Sequence, residues 1–278
     1  MITTNPFAEL SAFISPSMMQ IYVVLMVLFV IGGTILDMMH KKSAKYFFEQ
    51  TEAAKKNAKR EVGSGERNSL LVKTVTNEVL TSSEFSNPQR RMSHLLTMYG
   101  FIIFVATTAI MIFGYADAKG DATPAILPLL WHLGALMLAI GGYWFWFAIR
   151  VDVSVEGKPW YKVARTDMFI LSLLGMSTFA LLWSFSSGYG LFLALFIFAS
   201  TFLFTTVLWS KFAHMFFKPA AAYQKKVFEA DGSREGLPEV PDLTDAEIQK
   251  RFPDIPTYMG EKPAYMGHGI RREKPGHF

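Results

Sequence analysis

Charged residues are absent from four long stretches of the chain, and these stretches are rich in apolar side chains. They lie between Glu9 and Asp37, between Arg91 and Asp117, between Asp121 and Arg150, and between Asp167 and Lys211. An α-helix needs roughly 20 apolar residues to cross about 30 Å of hydrocarbon, so each of the first three stretches accommodates one crossing. The fourth is too long for one crossing, and the sequence SSGYG at 186–190 divides it. The pattern therefore predicts an all-α membrane protein, a bundle of five transmembrane helices.

Composition supports this prediction and separates the soluble parts of the chain from the membrane part. Hydrophobic residues make up 51% of the 278, and they occur in blocks without the amphipathic period of a soluble core. We divide the chain into an N-terminal segment at 1–19, a membrane domain at 20–220 with a helical loop at 40–86, and a C-terminal tail at 221–278. Thr244 and Glu247 have capping-box spacing, which predicts a short helix in the tail. Both soluble pieces are too small for an enzyme domain, so we do not expect the chain to be a catalyst by itself.

The basic residues predict how the helices are oriented. Of the 27 Lys and Arg, 11 lie between the first and second spans and 11 lie from Lys211 onward, whereas only Lys119 lies between the second and third spans. Lys and Arg favour the cytoplasmic side of short loops, so we expect the N-terminus outside and the C-terminus inside. We attribute the net charge of +4 to this topology and not to nucleic-acid binding. The first span is too long for a cleaved signal peptide and lacks its basic leader.

The chain contains no cysteine. It therefore forms no disulfide, and it cannot hold a thiolate-ligated iron–sulfur cluster, a cysteine-based zinc site or a covalently attached c-type haem. Any metal centre in this chain must rest on His, Met or carboxylate ligands.

Two histidines lie at similar depths in the second and fifth predicted spans. The sequence SNPQRRMSH starts the second span, with Asn87 or Ser86 as N-cap and Pro88 in the first turn, so His94 lies about 9 Å into that helix. His214 precedes Pro219, where we expect the fifth span to end, by about 7.5 Å. Because the two helices run in opposite directions, both imidazoles are expected near the cytoplasmic face. There they could hold the iron of one b-type haem between them.

A cation precedes each of these histidines on the same helix face. Arg91 lies three residues before His94, and Lys211 lies three residues before His214. Haem propionates are anionic, and cations at the aqueous edge of the membrane would neutralise them. A simpler interpretation stays open, because basic residues and histidines also collect at cytoplasmic helix ends, where the interface is polar and anionic.

Further candidate residues surround this pair. Gly100 has no side chain and would let a flat macrocycle approach the backbone of the second span. Arg90 and Lys218 are additional cations for the propionates. His132, near the outer end of the third span, has no other histidine to pair with. It could line a quinone or proton site, or it could be an interfacial histidine that is hydrogen-bonded to a neighbour.

The stretches RRMSHLLTMYGFIIFVATT at 90–108 and LWSKFAHMFFKPAAAY at 208–223 resemble the membrane subunits of the nitrate reductase gamma-like cytochrome b group. Within that group the likeness is to the membrane subunit of the quinone-interacting oxidoreductase of sulfur metabolism and to the membrane anchor of adenylylsulfate reductase. The resemblance implies a five-helix bundle in a bacterial inner membrane that passes electrons between quinone and cytoplasmic flavin and iron–sulfur subunits. It also implies b-type haem ligands on the second and fifth helices, which correspond to His94 and His214.

The chain departs from the two-haem members of this group. They carry deeper histidines on both helices, whereas the segments at 100–111 and 192–204 contain none, so at most one haem is expected. The chain also lacks a cysteine-rich ferredoxin domain, so electrons must arrive from a separate protein. Two other functions stay open. One is a haem-free anchor that docks the soluble enzyme. The other is a small transporter, for which the expected mid-membrane charges and broken helices are missing from the sequence.

Overall fold

We describe the protein from a computed structural model. The structure describes residues 2–83, 85, 87–117, 122–152, 157–186, 190–208, 214–237, 247 and 250, and for residues 41, 43, 44 and 214 it describes the backbone alone. Within these residues the regular secondary structure is helical, without a β-strand. The all-α fold class is therefore confirmed for the described part of the chain. The short tail helix predicted at Thr244 falls outside it, apart from two helical positions at Glu247 and Lys250.

The described residues form nine α-helices. They are α1 (Pro6–Leu10), α2 (Pro16–Lys41), α3 (Ser43–Asn57), α4 (Ser64–Lys73), α5 (Pro88–Tyr115), α6 (Ile126–Trp144), α7 (Met168–Phe185), α8 (Leu191–Thr205) and α9 (His214–Ala230). A π-helical turn, Thr74–Leu80, continues α4, and another, Phe145–Ile149, continues α6. Helices α1, α2 and α5 begin alike, because the side chain of Asn5, Ser15 or Asn87 accepts hydrogen bonds from the first backbone N–H groups and proline follows.

Four helices are long and apolar enough to cross a membrane. They are Pro16–His40, Pro88–Tyr115, Ile126–Ile149 and Arg165–Phe185. The chain is thus a multi-pass membrane protein, and the first four predicted spans are present as helices. The predicted break at 186–190 is also confirmed, because α7 ends at Phe185 and α8 begins at Leu191. Helix α8 has 15 residues and is about 22 Å long, less than the hydrocarbon thickness. A fifth crossing and the orientation in the membrane stay predictions.

Helices α5 and α6 pack closely because small residues line both sides of their contact. A Cβ added to Gly100 would lie 2.7 Å from a backbone nitrogen of α6, and a Cβ added to Gly134 would lie 2.7 Å from a backbone nitrogen of α5. The Ser93 hydroxyl donates to the carbonyl of Gly141 at 2.8 Å. Small residues allow two membrane helices to approach in this way, so α5 and α6 form a closely packed pair within the bundle.

At one end of the bundle, α1 folds over the helix ends and inserts an aromatic side chain. Phe7 is 3% exposed and meets the indole rings of Trp131 and Trp183 edge-on, with centroid distances of 5.9 and 5.6 Å. The amide nitrogen of Asn5 donates to the carbonyl of Tyr115 at the end of α5. We call this the Phe7 end of the bundle.

At the opposite end, α3, α4 and α9 pack together outside the bundle, and we call them the polar cluster. Gln224 on α9 donates to the carbonyl of Phe47 and to the hydroxyl of Thr51, both on α3. Lys226 on α9 pairs with Glu78 in the π-helical turn at 3.0 Å. Helix α3 confirms the helix that the sequence predicts after the first span. We call this the α3 end of the bundle.

Candidate functional site

His94 lies near the start of α5 and is half-buried by the loop that precedes this helix. Its Nδ1 is 3.1 Å from the Oγ of Ser82. The ring of Phe85 lies 4.9 Å from the imidazole, measured between centroids. The same short loop therefore holds the imidazole through a hydrogen bond and a ring contact.

The loop begins where the π-helical turn Thr74–Leu80 ends. Ser82 has a φ of 48°, in the left-handed region that residues other than glycine seldom adopt, and it is buried. Two side chains of α5 hold the loop in place. The Tyr99 hydroxyl donates to the carbonyl of Leu80 at 2.7 Å, and Nε of Arg91 donates to the carbonyl of Thr81 at 2.6 Å. Arg91 thus supports the loop around His94, a role that the sequence did not predict.

Two other cations meet at Phe85. The guanidinium carbon of Arg90 lies 5.4 Å and Nζ of Lys218 lies 5.8 Å from the ring centroid, distances at which an aromatic face attracts a cation. Because Lys218 belongs to α9, Phe85 joins the loop, the start of α5 and the first turns of α9. We call Ser82, Phe85, Arg90, His94 and Lys218 the His94 cluster.

The face of α5 that carries His94 also carries a residue that contacts α8. Phe101 lies two helical turns beyond His94 on this face, and its ring lies 6.4 Å from that of Phe204, near the end of α8. His214 is the first residue of α9, one turn or about 6 Å before Lys218. The backbone of His214 therefore lies in the chain between two contacts. One is the contact of Phe204 on α8 with α5, and the other is the contact of Lys218 on α9 with Phe85.

The structure corrects the expected position of His214 within its helix. We predicted a fifth span that ends at Pro219, whereas α8 ends at Thr205 and α9 begins at His214 and continues through Pro219 to Ala230. Proline near a helix start removes one backbone hydrogen bond without ending this helix. The side chain of His214 and the whole of Lys211 lie outside the described residues.

Gly100 makes a close helix–helix contact that the sequence does not predict. It lies about 120° round α5 from His94. A Cβ at Gly100 would come within 2.7 Å of the Leu138 nitrogen and 2.8 Å of the Gly134 oxygen, both in the backbone of α6. The close approach that this glycine permits is thus made to α6. This packing accounts for the glycine without a cofactor, and a macrocycle beside Gly100 stays a prediction.

His132 lies toward the Phe7 end, where it connects α6 with α7. Its Nδ1 donates to the carbonyl of Pro128 at 2.7 Å, and its Nε2 is 3.0 Å from Oγ of Ser184. The imidazole packs between the rings of Trp131 and Phe185 and is 8% exposed. A quinone would have to displace Ser184 to reach Nε2. The arrangement therefore favours the interpretation of His132 as a hydrogen-bonded interfacial residue.

Sequence reasoning missed Ser82 and Phe85, which both contact the imidazole of His94. Both are loop residues, and their positions depend on a π-helical turn and on the left-handed backbone of Ser82. No periodic pattern in the sequence signals either feature. Among the described residues, no group of three or more His, Asp or Glu is arranged to hold a metal ion.

These contacts define a helical multi-pass membrane protein with a cationic and aromatic cluster around one histidine. Comparisons of the chain with protein-family models, with curated proteins and with solved structures found no match. The resemblance of the two motifs to membrane cytochromes b therefore stays a hypothesis about function.

Proposed function

We propose that the protein is a membrane anchor and electron-transfer subunit that links a cytoplasmic oxidoreductase to the quinone pool through one b-type haem between His94 and His214. The observation that carries this proposal is the convergence of α5, α8 and α9 at the α3 end. Helix α8 contacts the His94 face of α5 through an aromatic pair. Lys218 of α9 lies over Phe85, which contacts His94. This convergence supports ligation by two imidazoles from distant parts of the chain.

The surroundings of His94 suit an iron ligand. A ligating histidine usually donates its second ring N–H to a fixed acceptor, which selects the tautomer and orients the ring. The Oγ of Ser82 can accept from Nδ1 at 3.1 Å, and a proton on Nδ1 leaves the lone pair of Nε2 for a metal. The described surroundings of His94 thus suit one axial ligand of a b-type haem, which would supply a one-electron carrier when bound.

The charges of the His94 cluster suit an anionic partner. Arg90 and Lys218 lie on α5 and α9, and both approach the Phe85 ring. Their positive charges would neutralise propionates at the membrane edge. Arg91 fixes the loop through the carbonyl of Thr81, so its loss would free Ser82 to move away from His94.

The polar cluster offers the soluble partner a place to dock. Its helices stand outside the bundle and are tied together by Gln224 and by the Lys226–Glu78 ion pair. In our proposal this end faces the cytoplasm. The partner is a flavin and iron–sulfur enzyme, for which the motif resemblance suggests adenylylsulfate reductase. That enzyme would oxidise sulfite plus AMP to adenylylsulfate and pass two electrons through this subunit to quinone.

A haem-free anchor is the second candidate function, and one observation favours it. Helix α8 ends at Thr205, and His214 opens a separate helix. The two histidines therefore do not lie on two continuous antiparallel spans, although the sequence predicts that they do. Docking of the soluble enzyme on the polar cluster does not depend on the histidines, so this function requires only the membrane helices and α3, α4 and α9.

A reduced-minus-oxidised absorption spectrum of the purified full-length protein, expressed with an ample supply of haem, tests the cofactor. We expect a b-type α-band in the wild type and its loss in His94→Ala and in His214→Ala. His268→Ala, in the tail, is the matched control and should keep the band. A wild type without the band, or an unchanged band in His94→Ala, overturns the haem proposal and leaves the haem-free anchor.

Proteoliposomes that contain quinone and purified adenylylsulfate reductase test the partner. We expect sulfite and AMP to reduce quinone when the wild-type chain is present. The His94→Ala chain should still bind the enzyme but should not support reduction. Binding without reduction by the wild type supports the haem-free anchor, and a lack of binding contradicts this choice of partner.

A further inference from the structure

The connection between α6 and α7 is organised around one buried arginine. Arg150 has no solvent exposure. Its terminal nitrogens donate to the carbonyls of Pro159 at 2.6 Å, of Lys162 at 2.7 Å and of Lys158 at 3.3 Å. They also donate to the carboxylate of Asp167 at 2.6 Å. The connection is therefore held against the helix ends by backbone contacts that do not depend on the identity of its other side chains.

These hydrogen bonds of Arg150 leave the outer side of the loop at 157–166 exposed. Trp160 is 56% exposed, Tyr161 is 70% exposed and Val163 is 58% exposed. Exposed aromatic and aliphatic side chains in water are costly. Trp and Tyr are, however, the residues that membrane proteins place at the level of the lipid headgroups. Since the loop joins two membrane-spanning helices directly, it lies at that level.

A continuous row of aromatic rings joins the loop to the membrane-facing surface of α6. Tyr143 and Phe147 are stacked with their centroids 6.1 Å apart, and Phe147 lies 6.2 Å from Trp160. Trp160 then meets Tyr161 edge-on at 5.7 Å. Tyr143 and Phe147 are exposed on the sides of a span, where lipid surrounds them. The row indicates that the loop lies along the bilayer surface and does not project away from it.

Residues 157–166 also carry three cations and no acidic residue, whereas Asp152, which is exposed, and Glu156 precede them in the connection. Lys158, Lys162 and Arg165 are exposed. Within 157–167 the acidic residue is Asp167, which is buried and paired with Arg150. Cations at this depth attract anionic lipid headgroups. An aromatic row and three exposed cations thus occur on the same short segment.

We propose that the loop at 157–166 is a binding site for the headgroups of anionic phospholipids. Trp160 and Tyr161 lie among the headgroups and acyl-chain ends, and Lys158, Lys162 and Arg165 contact lipid phosphates. Arg150 is a positioning residue that holds the loop in this arrangement. The continuity of the aromatic row with a lipid-facing helix surface favours lipid as the occupant over a soluble protein partner.

The absence of cysteine from the chain permits a direct test of where the loop lies. A polarity-sensitive fluorophore attached to Val163→Cys in the full-length protein reports on the loop, and one attached to Asn68→Cys on exposed α4 is the control. Both proteins are reconstituted in nanodiscs of phosphatidylcholine with phosphatidylglycerol. We expect blue-shifted emission that lipid-borne quenchers reduce at Val163, and water-like emission at Asn68. Water-like emission at both positions overturns the proposal.

A charge-matched comparison tests the preference for anionic lipid. Binding of fluorescent phosphatidylglycerol to the detergent-solubilised full-length protein is measured for Lys158→Ala/Lys162→Ala and for the control Lys55→Ala/Lys56→Ala. Arg150 donates to the backbone carbonyls of Lys158 and Lys162, so these hydrogen bonds do not depend on the two lysine side chains. We expect affinity to fall about fivefold for each loop cation removed, and to change less than about twofold in the control. Equal losses in the two variants, or equal binding of phosphatidylcholine by the wild type, contradict the proposal.

Discussion

Arg150 and Asp167 form an ion pair in which Nη2 of the arginine is 2.6 Å from Oδ2 of the aspartate, and the arginine side chain is completely buried. The same guanidinium lies over the indole ring of Trp146, with 4.2 Å between Cζ and the ring centroid. One side chain thus ties the end of one membrane helix to the start of the next. A buried charge that loses its partner is strongly destabilising, whereas an exposed one is not.

We therefore expect Asp167→Ala to lower the free energy of unfolding by about 3–5 kcal/mol, because the guanidinium of Arg150 would stay buried without its carboxylate. The control is Lys45→Ala, which removes an exposed ion pair with Glu49 of 3.5 Å and should cost less than about 0.5 kcal/mol. Unfolding of the detergent-solubilised protein, followed by circular dichroism, measures both. Similar losses in the two variants would show that the buried pair is not special.

Substitution of Gly100 tests the contact between α5 and α6. Gly100→Ala places a Cβ within 3 Å of backbone atoms of α6, and backbone atoms cannot move aside as a flexible side chain can. We expect a loss of about 1–3 kcal/mol from overpacking. Gly114→Ala, on the same helix with open space around its Cβ, should instead stabilise the helix by about 0.5–1 kcal/mol. The midpoint of thermal unfolding should move in opposite directions in the two variants.

Phe7→Ala should release α1 from the Phe7 end. The lost ring fills a site between Trp131 and Trp183, and removal of a buried Phe side chain costs about 3–5 kcal/mol. Amide hydrogen exchange in α1 is the measurement, and we expect it to rise strongly. Phe13→Ala, at a side chain that is 70% exposed, is the control. An unchanged exchange rate in Phe7→Ala would mean that other contacts hold α1.

The contact between α5 and α8 can be tested by cross-linking, because introduced cysteines are the only thiols in the chain. Phe101→Cys and Phe204→Cys replace rings that lie 6.4 Å apart, so a short bismaleimide should join them in high yield. Phe113→Cys with Phe204→Cys is the control, since Phe113 is exposed on another part of α5. Equal yields from the two pairs would remove the support that this contact gives to the site around His94.

Local signals explain why the sequence predicted the membrane helices well. The apolar blocks, the polar break at 186–190 and the Asn87–Pro88 start of α5 each depend on a few neighbouring residues. The surroundings of His94 depend instead on tertiary contacts. The local sequence pattern does not show that Ser82 has a left-handed backbone. It also does not show that Lys218 of α9 lies over Phe85.

The same distinction applies to Gly100 and Pro219. An isolated glycine in a span indicates that something approaches closely, but it does not indicate whether that is a cofactor or another helix, and at Gly100 the described contact is with α6. Proline suggested a helix end at Pro219, yet α9 continues through it. The weaker candidates Arg90 and Lys218 lie over the Phe85 ring beside His94, because the fold of the loop determines their neighbours.

The docking of Phe7 between indole rings has a consequence for how the chain is made. Trp131 and Trp183 are synthesised long after Phe7, and a ribosome adds about 5–20 residues per second, so the N-terminal segment must wait many seconds for its binding site. Helix α1 can close over the bundle only after α7 has been delivered to the membrane. Its closure is therefore a late step in assembly, and protection of α1 from a protease would report that the helices of one newly made chain have come together.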